Sequence, residues 1–336
     1  MDRWVRSLRR SKVSPSADRP IGVVHERERR SSGDIVDAAT VFLAGAECPF
    51  SCVFCDLWQQ TLSGHTPLGS LPRQLREALR EIGQRSLIKL YNASNFFDPA
   101  AVPPADQTSM LRLLQGFAQV TVECHPRFID DGCFAFGDRL DGALEVGVGL
   151  ETAHPAALAR LNKKMTLADF DAAASALRAH EIGLRVFVLL GCPFIADDEQ
   201  LAWTLRSVEH AAACGASMIS IIPVRGGNGA LESLAAEGAW RSVTLDLAED
   251  AFDRALRLNL DDAVVQLDLW DLERLAVCSH CVEARVNRLG AMNLTGLPAS
   301  RVACVSCNAG TARDRPRPPE ARSPKPETRS RPKPHQ

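Results

Sequence analysis

Two kinds of apolar pattern alternate along the chain. Short runs with almost no polar interruption occur at 87–91 (LIKLY), 120–123 (VTVE), 144–150 (LEVGVGL), 184–190 (LRVFVLL) and 218–222 (MISII), and one more, starting at Thr40, runs directly into a cysteine-rich loop. Between them lie helical stretches. The clearest is 72–82, where Leu75, Leu79 and Ile82 recur at helical spacing behind Pro72, and others span 108–117, 166–180, 197–213 and 244–258. Strands that alternate with helices predict βαβ units and a parallel sheet, and unbroken apolar strands predict burial on both faces. The count is six strands, with VVQLDL at 264–269 as a candidate seventh. Periodicity alone allows an open doubly wound sheet or a partial barrel. In both, functional groups collect at the carboxyl ends of the strands.

Composition sets the flanks apart from this body. Residues 1–34 are polar and Arg-rich and are broken by Pro15 and Pro20, which predicts a basic arm ordered only where Ile21, Val23 and Val24 make apolar contact. Residues 35–270 form the expected α/β core, 271–308 a small metal module, and 309–336 a basic tail with seven prolines, predicted to be disordered. The two ends carry nine and eight Lys/Arg against five and three Asp/Glu. Removing them from the totals of 39 and 41 leaves 22 basic and 33 acidic residues in the middle. An acidic body does not suit a protein that grips nucleic acid along its main surface. No run approaches the ~18 to 20 apolar residues of a membrane span, and no apolar segment follows the first charges. The expectation is a cytoplasmic protein whose 11 cysteines are metal ligands and reduced thiols.

The loop after the first strand, AECPFSCVFCDLW, carries Cys48, Cys52 and Cys55 in a C-x3-C-x2-C spacing. A cuboidal [4Fe-4S] cluster takes four cysteines, so a three-cysteine loop suggests an iron left open for chemistry. Zinc is the competing reading, but the nearest histidine, His65, lies ten residues beyond Cys55. This spacing, with Phe54 before the last cysteine, resembles the signature of the radical S-adenosylmethionine (SAM) superfamily. The segment from Gly149 to Pro193, with Gly-Leu-Glu at a strand end and Leu-Asn followed by lysines, resembles the Elp3/MiaB-like branch.

That resemblance implies a partial (β/α)6 barrel, a [4Fe-4S] cluster on Cys48, Cys52 and Cys55, and SAM held at the open iron and cleaved to a 5′-deoxyadenosyl radical. It also implies a flavodoxin- or ferredoxin-type reductant. Phe54 would pack near the adenine. NASNF at 92–96 takes the place of the motif that binds the SAM amino group, but lacks its glycines and acid; Ser94 and Asn95 are its candidates. Glu123 and Glu151, at the next two strand ends, are placed to take ribose hydroxyls or the SAM ammonium. Arg225, in the Gly-rich loop 226–228, suits an anion or the SAM carboxylate. Cys124, His125 and Cys192 read as a buried thiol, a turn histidine and another buried thiol.

A second set, Cys278, Cys281, Cys304 and Cys307, has the form C-x2-C-x22-C-x2-C. Two such knuckles complete a tetrahedron around one ion, zinc by preference, with a fully ligated auxiliary iron-sulfur cluster as the alternative. Between them Val286, Leu289, Met292 and Leu294 recur as a helix face. Two substrate readings stand side by side: a tRNA nucleobase, and a small metabolite or cofactor precursor. A non-catalytic zinc- or RNA-binding barrel is the third reading.

Overall fold

The computed structural model describes residues 1–307 except 84 and 261. The expected tail at 309–336 lies outside the described residues. Eight strands form one sheet in chain order: β1 (Gly22–Arg29), β2 (Ile35–Phe42), β3 (Leu87–Tyr91), β4 (Gln119–Glu123), β5 (Ala143–Glu151), β6 (Gly183–Leu190), β7 (Met218–Pro223) and β8 (Val264–Leu267). β1 pairs antiparallel with β2, and all later pairs are parallel. The sheet curls into a half-barrel. The helices are α1 (Asp2–Ser7), α2 (Ser70–Ile82), α3 (Pro104–Leu113), α4 (Asp131–Gly137), α5 (Pro155–Arg160), α6 (Leu167–Ala179), α7 (Gln200–Ala213), α8 (Ala230–Ala236), α9 (Leu245–Ala255) and α10 (Val282–Thr295). No helix among the described residues is long and apolar enough to cross a membrane.

The partial barrel with its C-terminal four-cysteine cluster is as expected, but the strand count is larger. The candidate seventh strand is β8, and an eighth comes from residues 22–29, which the sequence reading placed in the arm. The reason lies in the lumen. Inward positions near the amino ends of the strands are charged: Lys89 on β3, Glu145 on β5 and Arg185 on β6. β1 therefore turns a glutamate inward where an apolar residue was the signal sought. Glu28 is 3% exposed and accepts from Lys89 at 2.7 Å and Arg185 at 2.7 Å, and Arg185 also reaches Glu145 at 2.8 Å. Thr121 and Ser217 complete the hydrogen bonds of Glu145. Each buried charge has an opposite partner, which is the condition for burying charge at all.

The gap between β1 and β8 is covered by α10, which lies against both edge strands. Asn293 substitutes for a neighbouring strand: its amide accepts from Leu267 N–H and donates to Leu267 C=O, both at 2.8 Å. Leu289 and Met292 join the core. Arg285 and Arg288 reach α9, where Glu249 (2.8 Å) and Asp253 (2.5 Å) receive them. The helix ends at Gly296, whose positive φ of 67° lets the chain turn where a Cβ would strike the Arg29 guanidinium.

Burial alone would raise the Glu28 carboxyl, but Arg185 and Lys89 hold it down at about 2, against an ordinary 4.5. Its contribution is therefore complete above pH 4.5 and is withdrawn as pH falls toward 2. Glu28→Gln should lower the unfolding free energy by about 3 kcal/mol near neutrality, and the gap to wild type in urea titrations should narrow as the pH drops below 4.5. A gap that stayed constant to acid pH would contradict the charge-network account.

Candidate active site

The chain leaves β2 through Leu43 and enters irregular backbone that carries Cys48, Cys52 and Cys55. Backbone in a loop must find partners for its N–H and C=O groups, and here distant side chains supply them. Gln74 on α2 brackets Ala44, accepting from its N–H at 2.8 Å and donating to its C=O at 3.0 Å. Thr66 accepts from Ala46 N–H at 2.8 Å. Asn162 donates to Ser51 C=O at 2.7 Å, Leu161 C=O accepts from Val53 N–H at 3.0 Å, and Asn228 donates to Val53 C=O at 2.7 Å. From the amino-terminal segment, Lys12 donates to Trp58 C=O (2.9 Å), Thr61 Oγ1 (2.7 Å) and Leu62 C=O (3.3 Å), while Arg6 reaches Ser51 Oγ at 3.0 Å. The loop is thus clamped from the ends of β5 and β7 and from the segment around α1.

Among the described residues, the two groups of metal-type ligands drawn within 4.8 Å of one another are elsewhere, so at least one pair of the Cys48, Cys52 and Cys55 sulfurs stands wider apart than that. Their thiols are desolvated. Burial raises Cys52 to about 12 and Cys55 well above the ordinary value, and raises Cys48 despite hydrogen bonds from Phe50 N–H and Asn95. Lys163 opposes the rise at both Cys48 and Cys52. A metal that binds here would displace protons from thiols that burial holds neutral.

Strand ends β3 to β5 face this loop. Asn95 donates to Cys48 Sγ at 3.3 Å and accepts from His125 N–H at 2.8 Å, so its amide is used at both ends. Glu123 Oε1 accepts from Asn92 and Ala93 N–H, each at 3.0 Å, and Oε2 has no protein partner among the described residues. Burial lifts its carboxyl to about 7 against those two N–H groups and Lys163. Ser94 Oγ and Asn92 Nδ2 are buried without partners. Glu151 is paired with Lys163, and a Cβ at Gly149 would collide with both groups. Phe54 is half-buried and packs on the core. Cys124 and Cys192 are buried; both His125 ring nitrogens are engaged by backbone, at Lys163 C=O and Arg127 N–H. The sequence reading missed Lys12, Asn162 and Lys163 as site residues, and placed Asn228 only in the anion loop with Arg225, where the structure turns it onto the Val53 and Cys55 carbonyls. Only the Leu-Asn-Lys-Lys string gave a signal, and only as part of a resemblance.

The second set lies beyond β8. Sulfur separations are 3.9 Å for Cys278–Cys304 and 3.7 Å for Cys281–Cys307, with all four within 4.8 Å. Metal–sulfur bonds of about 2.3 Å in a tetrahedron separate sulfurs by about 3.8 Å, so the four cysteines can hold one metal ion. Hydrogen bonds from Cys307 and Ser306 N–H bring the Cys304 thiol down to about 6, toward the thiolate a metal takes. The other close group, Asp171, His210 and Cys214 between α6 and α7, is joined by ordinary hydrogen bonds of 2.7 and 3.4 Å.

No family model matches the chain. It is 22% identical over 233 residues to an uncharacterised protein of Methanocaldococcus jannaschii, covering 65% of this chain and 64% of that one. It is 24% identical over 187 residues to archaeosine synthase subunit beta of Methanosarcina acetivorans, covering 52% and 54%. The chain thus spans between about half and two thirds of the curated relatives it matches. In structure it is similar to coproporphyrinogen III oxidase of Escherichia coli, at a TM-score of 0.47 and 13% identity, over 63% of this chain and 50% of that one. That oxidase is a radical SAM enzyme. Other structures of similar fold are radical SAM enzymes too.

Cys281→Ser and Cys304→Ser should each remove one bound ion per chain, and Cys52→Ala should leave that ion in place. Metal analysis in which Cys281→Ser or Cys304→Ser leaves the bound ion in place would contradict a four-cysteine site.

Proposed function

We propose that the chain is a radical SAM enzyme that modifies a nucleobase of tRNA. The observation that carries the first part is a loop of three desolvated thiols, not all gathered to the spacing of one ion, beside a strand end with unpartnered buried polar groups. Three separated thiolates each cap a different iron of a cuboidal cluster. Cys48, Cys52 and Cys55 would hold that cluster. Bound there, the cluster and SAM supply a one-electron cleavage of the sulfonium that yields a 5′-deoxyadenosyl radical.

The chain's own part is to position and to shield. Asn95 holds the Cys48 sulfur by its amide N–H, and Asn162 and Asn228 fix the backbone between Ser51 and Cys55. Ser94 Oγ and Glu123 Oε2 are acceptors for the SAM ammonium, Glu123 as a carboxyl poised near neutrality. Phe54 offers an apolar side toward the adenine. Burial alone would lower the Lys163 ammonium, but Glu151, already paired with it, together with Cys52 and Cys48 outweighs that and keeps the lysine charged beside the cysteines. Zinc is proposed for the second set, since the sulfur separations match one tetrahedral ion and a cuboidal cluster would hold its cysteines further apart. A small reductant protein would deliver the electron.

The archaeosine synthase relative and the basic ends support tRNA as the substrate. The acidic body favours a second reading, a small metabolite or cofactor precursor.

Anaerobic reconstitution with iron and sulfide, then dithionite and SAM, should yield 5′-deoxyadenosine in wild type and none in Cys52→Ala. Absence of the product from a fully loaded wild type would leave a metal-stabilised binding module. A nucleoside profile of tRNA from a deletion strain should lack one modification, whereas an unchanged profile would remove tRNA and favour the small substrate.

A further inference from the structure

Arg225, just beyond β7, uses one half of its guanidinium. Nη1 donates to Asp268 Oδ2 at 2.9 Å, while Nε and Nη2, both closed off from solvent, have no partner. These two nitrogens form the edge that presents two parallel N–H groups to a carboxylate or phosphate. Arg9 and Arg85 each leave a single buried Nε unbonded; among the described residues Arg225 alone leaves this pair. Buried charged donors without acceptors are costly and call for an explanation.

The edge lies over the mouth of the half-barrel. Gln266 and Ser220, paired in the β7–β8 register, hydrogen-bond each other at 2.7 Å on the lumen side, and Asp268, two residues further on, faces the same way. Asp268 N–H still bonds Ile221 C=O at 2.8 Å, so its direction is set by the sheet. Asn228, three residues beyond Arg225, donates to the carbonyls of Val53 at 2.7 Å and Cys55 at 3.4 Å. The edge therefore shares the mouth with the cysteine loop.

The same Asp268 carboxylate accepts from Trp270 N–H at 3.1 Å. Of the five tryptophans only Trp270 is exposed, at 64%. A left-handed Asp271, with φ 51°, turns the chain directly after it.

We propose that the Nε–Nη2 edge of Arg225 anchors an oxyanion of the substrate, a carboxylate or phosphate, and that the Trp270 indole takes a planar group of the same molecule. This rests on the reading of the mouth as the reaction site and adds the substrate's chemistry to it. A nucleotide has both parts, and so has an aromatic acid. The bidentate edge selects trigonal or tetrahedral oxyanions over neutral analogues, because a neutral ligand leaves both donors unpaired.

The full chain, reconstituted with iron and sulfide, is titrated calorimetrically with guanosine 5′-monophosphate, guanosine and benzoate, and separately with SAM. At least one oxyanion should bind wild type. Its affinity should fall roughly tenfold in Arg225→Ala, and also in Arg225→Lys, whose ammonium cannot make the paired contact. It should fall by a smaller factor in Trp270→Ala, with SAM affinity unchanged in every variant; guanosine, which leaves both donors unpaired, should bind more weakly than the monophosphate and be no further weakened by Arg225→Ala. A response to the monophosphate identifies a phosphate substrate and a response to benzoate a carboxylate; either supports the proposal. Failure of both to bind wild type, undiminished binding in Arg225→Lys, or a parallel loss of SAM affinity, which would give the edge to the SAM carboxylate, overturns it. Formation of 5′-deoxyadenosine by the same wild-type preparation reports on the enzyme reading separately, so either can fail alone. Retained iron and an unchanged circular dichroism spectrum show that the variants are folded.

Discussion

Irregular backbone around Cys48, Cys52 and Cys55 has to hold three buried thiols while satisfying its own amides, and the rest of the molecule is arranged around that requirement. Residues 47–56 form neither helix nor ladder, so the loop's carbonyls are taken by Asn162, Asn228 and Lys12 and its entrance by Gln74 and Thr66. Those side chains come from far apart in sequence. They meet because the parallel strands deliver all their carboxyl-end loops to one face. The loop's backbone is therefore held by side chains of the fold itself, which lowers the ordering cost that metal binding would otherwise carry.

The lumen below the site is equally constrained. A curled sheet of eight strands leaves two edges and an interior, and this chain fills the interior with the ion pairs of Glu28, Lys89, Arg185 and Glu145 instead of apolar layers. Such pairs set orientation more than stability. They fix β1 onto the barrel wall, and α10 then fits across from β8 to β1 with the four-cysteine set at its start. A metal ion there would hold together the very segment that covers the opening. The two cysteine sets thus differ in geometry: the second gathers its four sulfurs to the spacing of a single ion, and the first does not.

Much of this was legible in the chain itself. Apolar runs and helical spacings located six parallel strands and the main helices, because buried parallel strands carry the strongest local signal a sheet can give. β1 was not legible, since its inward residues are glutamates that make sense only against Lys89 and Arg185 from distant strands. The cysteines announced both sets through spacing alone. Ser94 and Glu123 followed from their places at strand ends. Lys163 and the clamping role of Asn228 did not, because a clamp on a loop's carbonyl is set by tertiary approach and leaves no periodic trace. Lys12 was hidden for the same reason, inside a segment whose composition read as a solvated arm.

Function here stands or falls with a four-iron cluster on the first cysteine set, one of its irons left for SAM. Electron paramagnetic resonance of the anaerobically reconstituted and reduced chain, recorded with and without SAM, addresses it directly. One reduced four-iron signal per chain is expected, and its shape should shift when SAM is added. A signal indifferent to SAM, or no cluster signal from a chain with Cys48, Cys52 and Cys55 intact and iron supplied, would contradict it.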